Sequence, residues 1–402
     1  MKRSIRLLCF LYVLCCTVFV VAQPYAIQHL GVENGLSNNF VLSMAQDKRG
    51  CIWVATEVGL NRFDGNGFTV YKQHNSEIAG DALNTLLYDE KEDVLWMGGK
   101  FGGLCAWEGK SGCFRTYQAR NGMKLENIVH LAKANDGGIW ITPHHYDPIY
   151  FDSRSHRFTS LSDMGIQLDC RSNLCAFADG DLLYVGHYRG GMSIIDLKKK
   201  TTRRMLHDPS VPQSLPGHSV YSLYKDRLGH LWVGTEWGLG LLDSSTGRFT
   251  VFRHVPGRIS SLVADRVYDI CETADGKLWI ACDVGGISIL DLSQITFKHP
   301  EEVCFENLLS AVTGKGLSSS NIRKVLQDSY GNIWIGNYSC GLDFISHRPP
   351  VFQICGDRPV YGMYRGEEGQ LWVGGENELL LYKNDSLAKR FDICCASTMR
   401  GV

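Results

Sequence analysis

The chain has 402 residues, which exceeds the ~250–300 residues at which one hydrophobic core usually stops growing, so several domains or a modular array are expected. Charged residues make up 21% and nearly cancel, with a formal net charge of −1, so no global field favours nucleic acid or an anionic membrane as a partner. Short runs of Val, Ile, Leu, Trp and Tyr bounded by Gly, Asp and Asn predict strands and tight turns, and therefore an all-β protein.

Residues 1–22 have the pattern of an export signal. Basic residues precede an apolar run from Leu7 to Val21, which ends at Ala22, a small residue suited to a cleavage point. An uncleaved N-terminal anchor is the alternative, because the apolar run is only slightly shorter than a membrane-spanning helix. Both alternatives predict that the rest of the chain is exported.

One short sequence motif, of the type Leu-Trp-Val-Gly, recurs along the chain. Its copies are anchored at Trp53, Trp96, Trp140, Tyr184, Trp232, Trp279, Trp334 and Trp372. Successive anchors are 43, 44, 44, 48, 47, 55 and 38 residues apart. A period of ~40–50 residues is typical of the four-stranded blades of β-propellers.

Each period contains the parts of one blade. An apolar strand and an Asp or Gly turn precede the anchor, and a Gly-containing bend, a third strand, a second turn and a fourth strand follow it. Strand alternation sends Leu231 and Val233 to one face and Trp232 to the other, so each blade is expected to bury both faces against its neighbours. Gly234 is expected where two backbones approach closely.

The repeats predict the domain organisation. Anchors Trp53 to Trp334 predict a seven-bladed β-propeller of four-stranded antiparallel blades over residues 24–348. The segment Ala26–Leu30 is expected to supply the edge strand that joins the first and last blades. Prolines at 349 and 350 indicate a linker, and residues 349–402 predict the first blade of a second, incomplete propeller.

Beyond the leader, twelve cysteines are scattered without CxxC pairs or zinc-type spacing. Cys51, Cys271, Cys282 and Cys340 fall inside predicted strands, where cysteine usually acts as a small buried hydrophobic residue. Export would permit disulfide bonds, but the sequence does not show which cysteines would pair.

Other motifs recur together with the tryptophan repeat. They are GLSNN at Gly35–Asn39, D-x-x-G-x-[IL]-W at Asp47–Trp53, GLNRFDG at Gly59–Gly65 and KGLSSSNI at Lys315–Ile322. In combination they resemble the two-component regulator propeller repeat, with copies from about residue 25 to residue 392. The resemblance implies the N-terminal periplasmic sensor part of a hybrid two-component histidine kinase, which is anchored in the inner membrane at full length.

The same resemblance implies an oligosaccharide or another small solute as ligand. It also implies a second propeller, a sandwich-like domain and a kinase as partners. The present sequence contains no phosphoacceptor histidine in an H-E-x-R-T setting and no D-x-G-x-G nucleotide box, so kinase activity is not expected of it. The sequence is compatible with a truncated sensor, a gene fragment or a stand-alone propeller. A homodimer is also compatible with it. Neither a cofactor nor a nucleic-acid partner is expected.

Candidate ligand-binding residues lie between the second and third strands of each repeat. Propeller strands alternate in direction, so these turns and the connections between blades are expected on one face, around the channel mouth. Aromatic faces beside charged or amide groups suit sugar rings, although ordinary solvated loops are the alternative. The candidates are Glu57, Lys100, Phe101, His144, His145, Tyr188, Arg189, Glu236, Trp237, Asp283 and Tyr338.

The sequence agrees less well with three other functions than with ligand sensing. A metal site at His144 and His145 is not expected, because adjacent residues on an extended chain point in opposite directions. A glycosidase or lyase would need paired carboxylates, for instance Glu57 with Glu236 or Asp283, and the aspartates before the tryptophans do not have sialidase-type spacing. A protein-interaction platform lacks the closing Trp-Asp pair of WD-type blades.

Overall fold

The computed structural model describes residues 25–119, 123, 125–295, 302–310, 316–347, 360–366, 370–383 and 386–392. Apart from β-strands, the regular structure of this part consists of two 3₁₀ turns, Val32–Asn34 and Leu292–Gln294. The chain divides into two compact units, residues 1–349 and 350–402. The predicted signal segment, residues 1–22, lies outside the described residues.

The first unit contains four-stranded antiparallel sheets that follow one another along the chain, preceded by the single strand β1 (Ile27–Leu30). The first blade contains β2 (Val41–Gln46), β3 (Ile52–Thr56), β4 (Gly59–Phe63) and β5 (Phe68–Tyr71). The second blade contains β6 (Leu83–Asp89), β7 (Val94–Gly99), β8 (Leu104–Glu108) and β9 (Cys113–Tyr117). The third blade contains β10 (Ile128–Lys133), β11 (Ile139–Pro143), β12 (Ile149–Asp152) and β13 (Arg157–Ser160).

The next three blades have the same strand order. The fourth blade contains β14 (Asn173–Asp179), β15 (Leu182–His187), β16 (Met192–Asp196) and β17 (Thr201–Met205). The fifth blade contains β18 (Val220–Lys225), β19 (Leu231–Thr235), β20 (Gly238–Asp243) and β21 (Arg248–Phe252). The sixth blade contains β22 (Val267–Glu272), β23 (Lys277–Cys282), β24 (Gly286–Asp291) and β25 (Glu306–Leu308).

The seventh blade closes the ring. From the innermost strand outwards, it contains β26 (Ile322–Gln327), β27 (Ile333–Asn337) and β28 (Leu342–Ile345). Its outermost strand is β1, from the other end of the unit. In this pairing Ile27 lies opposite Ile345, and Leu30 lies opposite Leu342. The innermost strands contact one another in the cyclic order β2, β6, β10, β14, β18, β22, β26 and back to β2. The predicted all-β propeller with an N-terminal closing strand is confirmed.

In three blades, an aspartate holds the turn before the tryptophan. In the fifth blade, Asp226 Oδ1 accepts hydrogen bonds from the backbone N–H groups of Leu228 and His230 at 3.0 and 2.8 Å. Its other oxygen accepts the indole N–H of Trp232 at 2.8 Å. The same indole bond recurs in the first and seventh blades, from Trp53 to Asp47 and from Trp334 to Asp328. The aspartate therefore shapes the hairpin and orients the core tryptophan.

The hydrophobic core consists of separate layers between neighbouring blades. Strand β19 shows this directly, because its two faces belong to different layers. Leu231 and Val233 pack with residues of the fourth blade, including Met205. Trp232 packs on the other side with residues of the sixth blade, including Val267, and is fully buried. The predicted alternation is confirmed.

Glycine after the tryptophan permits this close packing. A Cβ atom on Gly234 would lie 2.7 Å from Cγ1 of Val267, the first residue of the next blade's inner strand. At the ring closure, a Cβ atom on Gly336 would lie 2.6 Å from Cγ1 of Val41. Distances this short are repulsive, so any side chain here would push adjacent blades apart.

The second unit contains a four-stranded sheet of its own. It is built from β29 (Gly362–Arg365), β30 (Gln370–Gly374), β31 (Glu378–Lys383) and β32 (Ser386–Asp392), paired in chain order. Trp372 lies on the second strand, as the tryptophans of the ring do, and stacks with Phe391 at 5.9 Å between ring centroids. This sheet has the strand order of one blade, and the second propeller that it would begin stays a prediction.

The cysteines in the described part of the chain are free thiols. Cys282 and Cys271 lie on strands, and burial raises the pKa of their thiols to about 12 and about 11. Cys51 is buried but precedes β3, and Cys340 lies in the bend before β28 with partial exposure, so the expected strand position is wrong for these two. None of the helices in the described ranges is long and apolar enough to cross a membrane.

Candidate ligand-binding face

The turns between second and third strands lie on one face of the ring together with the connections between blades. In every blade, a backbone N–H of this turn donates a hydrogen bond to a carbonyl of an adjacent connection. The donor and acceptor residues are Gly59 and Asp81, Lys100 and Ala82, His144 and Asn127, Tyr188 and Ser172, Gly238 and Asp265, Asp283 and Arg266, and Tyr338 and Asn321. The candidate residues therefore share a face, and they form several small groups on it.

The first two blades contribute an ion pair and an exposed ring. Lys100 Nζ lies 3.5 Å from Glu57 Oε1, and both side chains are close to half exposed. An exposed pair of this kind contributes little to stability. Beside it, Phe101 is 73% exposed, which is unusual for a phenylalanine and offers a free aromatic face.

The two histidines of the third blade lie side by side. Their ring centroids are 4.2 Å apart, so the expectation that they point in opposite directions is wrong, because residues 144 and 145 lie in a bend and not on extended chain. His144 Nδ1 lies 2.7 Å from the carbonyl oxygen of Asn173, which occupies that nitrogen. Within the described ranges, no group of three or more His, Cys, Asp or Glu side chains could hold a metal ion.

The turn of the fifth blade and the connection that precedes this blade supply a group of three aromatic rings. Trp237 is 43% exposed, and its ring packs edge-on against His218 at 5.0 Å and His207 at 5.3 Å. The neighbouring Glu236 accepts the backbone N–H groups of His218 and Ser219 at 2.9 and 2.6 Å. Glu236 thus fixes the connection that carries His218, and it acts as a positioning residue for the Trp237 platform.

Tyr188 and Arg189 lie next to this platform. The guanidinium of Arg189 sits 5.4 Å from the ring centroid of Tyr188. The backbone N–H of Arg189 donates to Ser219 Oγ at 3.1 Å, and Gly191 N–H donates to the carbonyl of His218 at 2.7 Å. These bonds join the turn of the fourth blade to the connection that supports Trp237, so cationic and aromatic groups lie side by side.

In the sixth and seventh blades, the candidates contact residues that the sequence pattern did not single out. Asp283 accepts a hydrogen bond from Arg266 Nη1 at 2.8 Å. Tyr338 packs edge-on against Phe40 at 4.9 Å. The guanidinium of Arg323 lies 4.3 Å from the Tyr338 ring centroid.

The candidate carboxylates each have a partner nearby. Glu57 pairs with Lys100, Glu236 accepts two backbone N–H groups, and Asp283 pairs with Arg266. Retaining and inverting glycosidases need two carboxyl groups ~5–10 Å apart across a substrate bond. Glu236 and Asp283 instead hold a connection and a turn in place, and Glu57 forms an exposed ion pair.

A central channel of about 550 Å³ opens on this face, and the inner strands of all seven blades line it. Each inner strand has a register shift at its second residue, a β-bulge that turns this side chain towards the channel. The bulge residues are Leu42, Asn84, Val129, Leu174, Tyr221, Tyr268 and Arg323. On one side the ring consists of aliphatic side chains and the amide of Asn84, and on the other side it is aromatic and cationic.

Sequence reasoning missed these bulge residues. Their signal is weak, because they follow the first apolar residue of an ordinary strand, as in VYSLYKD and IRKVLQD. Aligning the repeats on the first strand, and not only on the tryptophan, would have shown one position that changes between aliphatic, tyrosine and arginine residues.

Deeper in the channel wall the charges are compensated. Lys324 Nζ lies 2.8 Å from Asp269 Oδ1, whose other oxygen accepts the backbone N–H of Val325 at 3.0 Å. Burial lowers the pKa of His130 to about 4, and the charge of Lys324 adds to this shift. His130 is therefore neutral at physiological pH, and the interior of the channel offers no free cation at this level.

A family model described as two component regulator propeller matches residues 35–58, 214–237, 261–283 and 316–339. The chain is similar to the extracellular domain of a hybrid two component system from B. thetaiotaomicron, with 32% sequence identity and a TM-score of 0.70. The match covers 93% of this chain and 50% of that chain. A second such domain from the same organism has 18% identity over 93% of this chain and 48% of that chain, with a TM-score of 0.63, and supports the fold alone.

A curated relative matches over a short segment only. It is histidine kinase P4 of Formosa agariphila, 46% identical over 41 residues, which is 10% of this chain and 3% of that protein. The chain spans about half the length of the two solved extracellular domains.

Proposed function

Because the chain carries the two-component regulator propeller repeat, we propose that it is an extracytoplasmic ligand-sensing propeller of a hybrid two-component system and that its ligand is an oligosaccharide. The solved neighbours are extracellular domains of such systems, which supports a location in the periplasm. A second propeller, a sandwich-like domain and a histidine kinase would be its partners in signal transfer.

The exposed platform of Trp237 is the observation that carries this proposal. A tryptophan left 43% exposed and packed edge-on against two histidines is a rigid apolar face in a polar setting. The C–H face of a sugar ring stacks on such a surface, while its hydroxyl groups take hydrogen bonds from neighbouring polar side chains. Arg189 and Tyr188, joined to the same connection, supply such groups.

Binding at this face would report to the whole ring. The turns of adjacent blades share backbone hydrogen bonds with the connections, so a ligand that contacts two turns also contacts the joint between their blades. Its binding energy would then favour one arrangement of the blades over another, which is the requirement for a ligand-driven switch.

The test is calorimetric titration of the full chain with a panel of neutral and acidic oligosaccharides. At least one member should bind in the micromolar range, and Trp237→Ala should weaken it roughly tenfold, because a stacked aromatic contributes about 1–2 kcal/mol. Tyr330→Ala is the matched control, because Tyr330 is 66% exposed in the first hairpin of the seventh blade, on the opposite face. Flat titrations across the panel would contradict the proposal.

No hydrolysis or elimination is part of this proposal. The nearby carboxylates are engaged in holding turns, as described above, and a sensor returns its ligand unchanged. Incubation of each binding oligosaccharide with the chain should produce no new reducing ends and no unsaturated products. Their appearance, with loss in the Glu236→Gln variant, would instead support a glycan-active enzyme.

A further inference from the structure

A ladder of stacked side chains crosses the channel mouth from the fifth blade to the first. Tyr221 packs on Tyr268 at 4.7 Å between ring centroids. The guanidinium of Arg323 lies between two tyrosine rings, 3.7 Å from the centroid of Tyr268 and 4.3 Å from that of Tyr338. Tyr338 in turn meets Phe40 at 4.9 Å, which ends the ladder.

Arg323 is held by these rings and not by an ion pair. Within the described ranges, no carboxylate pairs with its guanidinium, and its Nε is buried without a hydrogen-bond partner. The other charges nearby are compensated, since Arg266 pairs with Asp283 and Lys324 pairs with Asp269. The channel mouth therefore carries one cationic group whose charge no neighbouring side chain balances.

The geometry restricts what can approach this cation. With an aromatic ring on each side, the guanidinium of Arg323, which lines the channel, can be reached at its edge, where a guanidinium carries a planar fork of N–H groups. Such a fork matches two oxygens carried side by side on one atom, as in carboxylate and sulfate. The flanking rings also keep the guanidinium in one orientation, which lowers the entropic cost of binding.

Resting on the function proposed above, we infer that the ligand is an acidic oligosaccharide whose carboxylate or sulfate group binds Arg323 at the channel mouth. The Trp237 platform lies on the same face, and the two features share one hairpin of the fifth blade, because Val220, next to Tyr221, lies opposite Thr235, which begins the turn that carries Trp237. The sugar unit stacked on Trp237 and the acidic group bound to Arg323 would belong to the same oligosaccharide.

The experiment compares charged and neutral forms of the same sugar on the full chain by calorimetry. The probes are trigalacturonate, its fully methyl-esterified form, a sulfated galactan disaccharide and the corresponding unsulfated disaccharide. The variants are Arg323→Gln, which removes the charge, Arg323→Lys, which keeps the charge without the planar fork, and Arg49→Gln as control. Arg49 also sits over a tryptophan ring, 5.7 Å from Trp107, but in the first hairpin of its blade, on the opposite face.

We expect one acidic probe to bind more tightly than its neutral form, and to bind more weakly as salt rises. Arg323→Gln should lower its affinity roughly tenfold or more, as for loss of a charge-assisted hydrogen bond, while Arg49→Gln should not. The acidic probe that binds identifies whether the group is a carboxylate or a sulfate. Arg323→Lys should recover only part of the loss.

Three results would overturn the inference. Equal binding of an acidic probe by the parent and by a folded Arg323→Gln chain would show that the cation is not used. Binding of a neutral oligosaccharide that depends on Trp237 and not on Arg323 would overturn the inference and leave the proposed function standing. Flat titrations with all acidic and neutral probes would overturn both. Circular dichroism and thermal unfolding of each variant establish that the chain is folded.

Discussion

A single carboxylate, that of Asp226, holds both the turn and the tryptophan of the fifth blade. It is nearly fully buried and accepts hydrogen bonds from two backbone N–H groups and the indole of Trp232. Buried donors that lose their acceptor pay their full desolvation cost. The recurrence of this aspartate with the tryptophan is thus explained by structure and needs no catalytic role.

We expect Asp226→Ala to lower the free energy of unfolding by about 2–4 kcal/mol, because the buried indole N–H and two partly buried backbone N–H groups are left without an acceptor. Urea denaturation followed by tryptophan fluorescence measures the loss. Asp181→Ala is the matched control, since Asp181 lies in the corresponding turn of the fourth blade but is exposed. Similar midpoints for the two variants would contradict the structural role of Asp226.

His187 makes stability depend on pH. It is fully buried between Asn173 Oδ1 and Ser193 Oγ, and burial lowers its pKa to about 4, with a further contribution from Arg204. Because the folded pKa lies below the unfolded value, the unfolded chain takes up the proton first. The contribution of His187 is therefore complete above pH ~6.5 and is lost as the pH falls towards 4.

The corresponding prediction concerns the difference in stability between pH 7 and pH 5. His187→Gln should reduce this difference by about 2 kcal/mol, whatever its effect on stability at pH 7, because one titrating group is removed. Urea denaturation at both pH values measures it. His74→Gln, at an exposed position, should leave the difference as in the parent. An unchanged difference in His187→Gln would show that this histidine does not titrate as described.

At the scale of the element, the inner strand of each blade is an edge strand that faces the channel. In three of the blades, a free backbone N–H of this strand donates to a side chain of the preceding blade. Ser43 Oγ accepts the N–H of Leu86 at 3.0 Å, and Asp269 accepts that of Val325 at the same distance. The inner strands are thereby protected from further pairing, and each is tied to the next blade.

The closing strand β1 supports a prediction about the ring. Ile27 packs into the core layer between the sixth and seventh blades, opposite Ile345. Ile27→Asp should lower the melting temperature, because it places a charge in that layer. Gln28→Asp, on the exposed side of the same strand, should leave the melting temperature close to that of the parent. Equal melting temperatures would mean that β1 contributes little to closure.

The sequence predicted the elements that repeat and missed those that vary. Trp232 and Gly234 recur because every blade must bury its faces on the next, so their period revealed the strands and the ring. The bulge position has no such constraint, since Leu42 and Arg323 occupy equivalent places. Contacts between blades, such as Arg323 with Tyr338, join residues from different turns and connections, and the period contains no information about them.

At the scale of the whole molecule, the ring is complete without the second unit, because β1 supplies its last strand. We therefore expect a chain that ends at residue 349 to fold with the same main melting transition as the full chain. It should also keep its affinity for any oligosaccharide bound through Trp237. Thermal unfolding and calorimetry of the two chains test this. A large fall in the melting temperature of the shorter chain would show that the second unit is needed for the ring.

The closing pair also determines how the ring would respond to mechanical tension. In the antiparallel pair of β1 and β28, residue 27 lies opposite residue 345, so the two chain ends of the ring leave it side by side. A force that pulls residues 26 and 346 apart would act on this end first and would break the hydrogen bonds one after another, as in unzipping, and not all together, as in shear. The seam that completes the propeller is thus also the place where a pull between its two ends would open it.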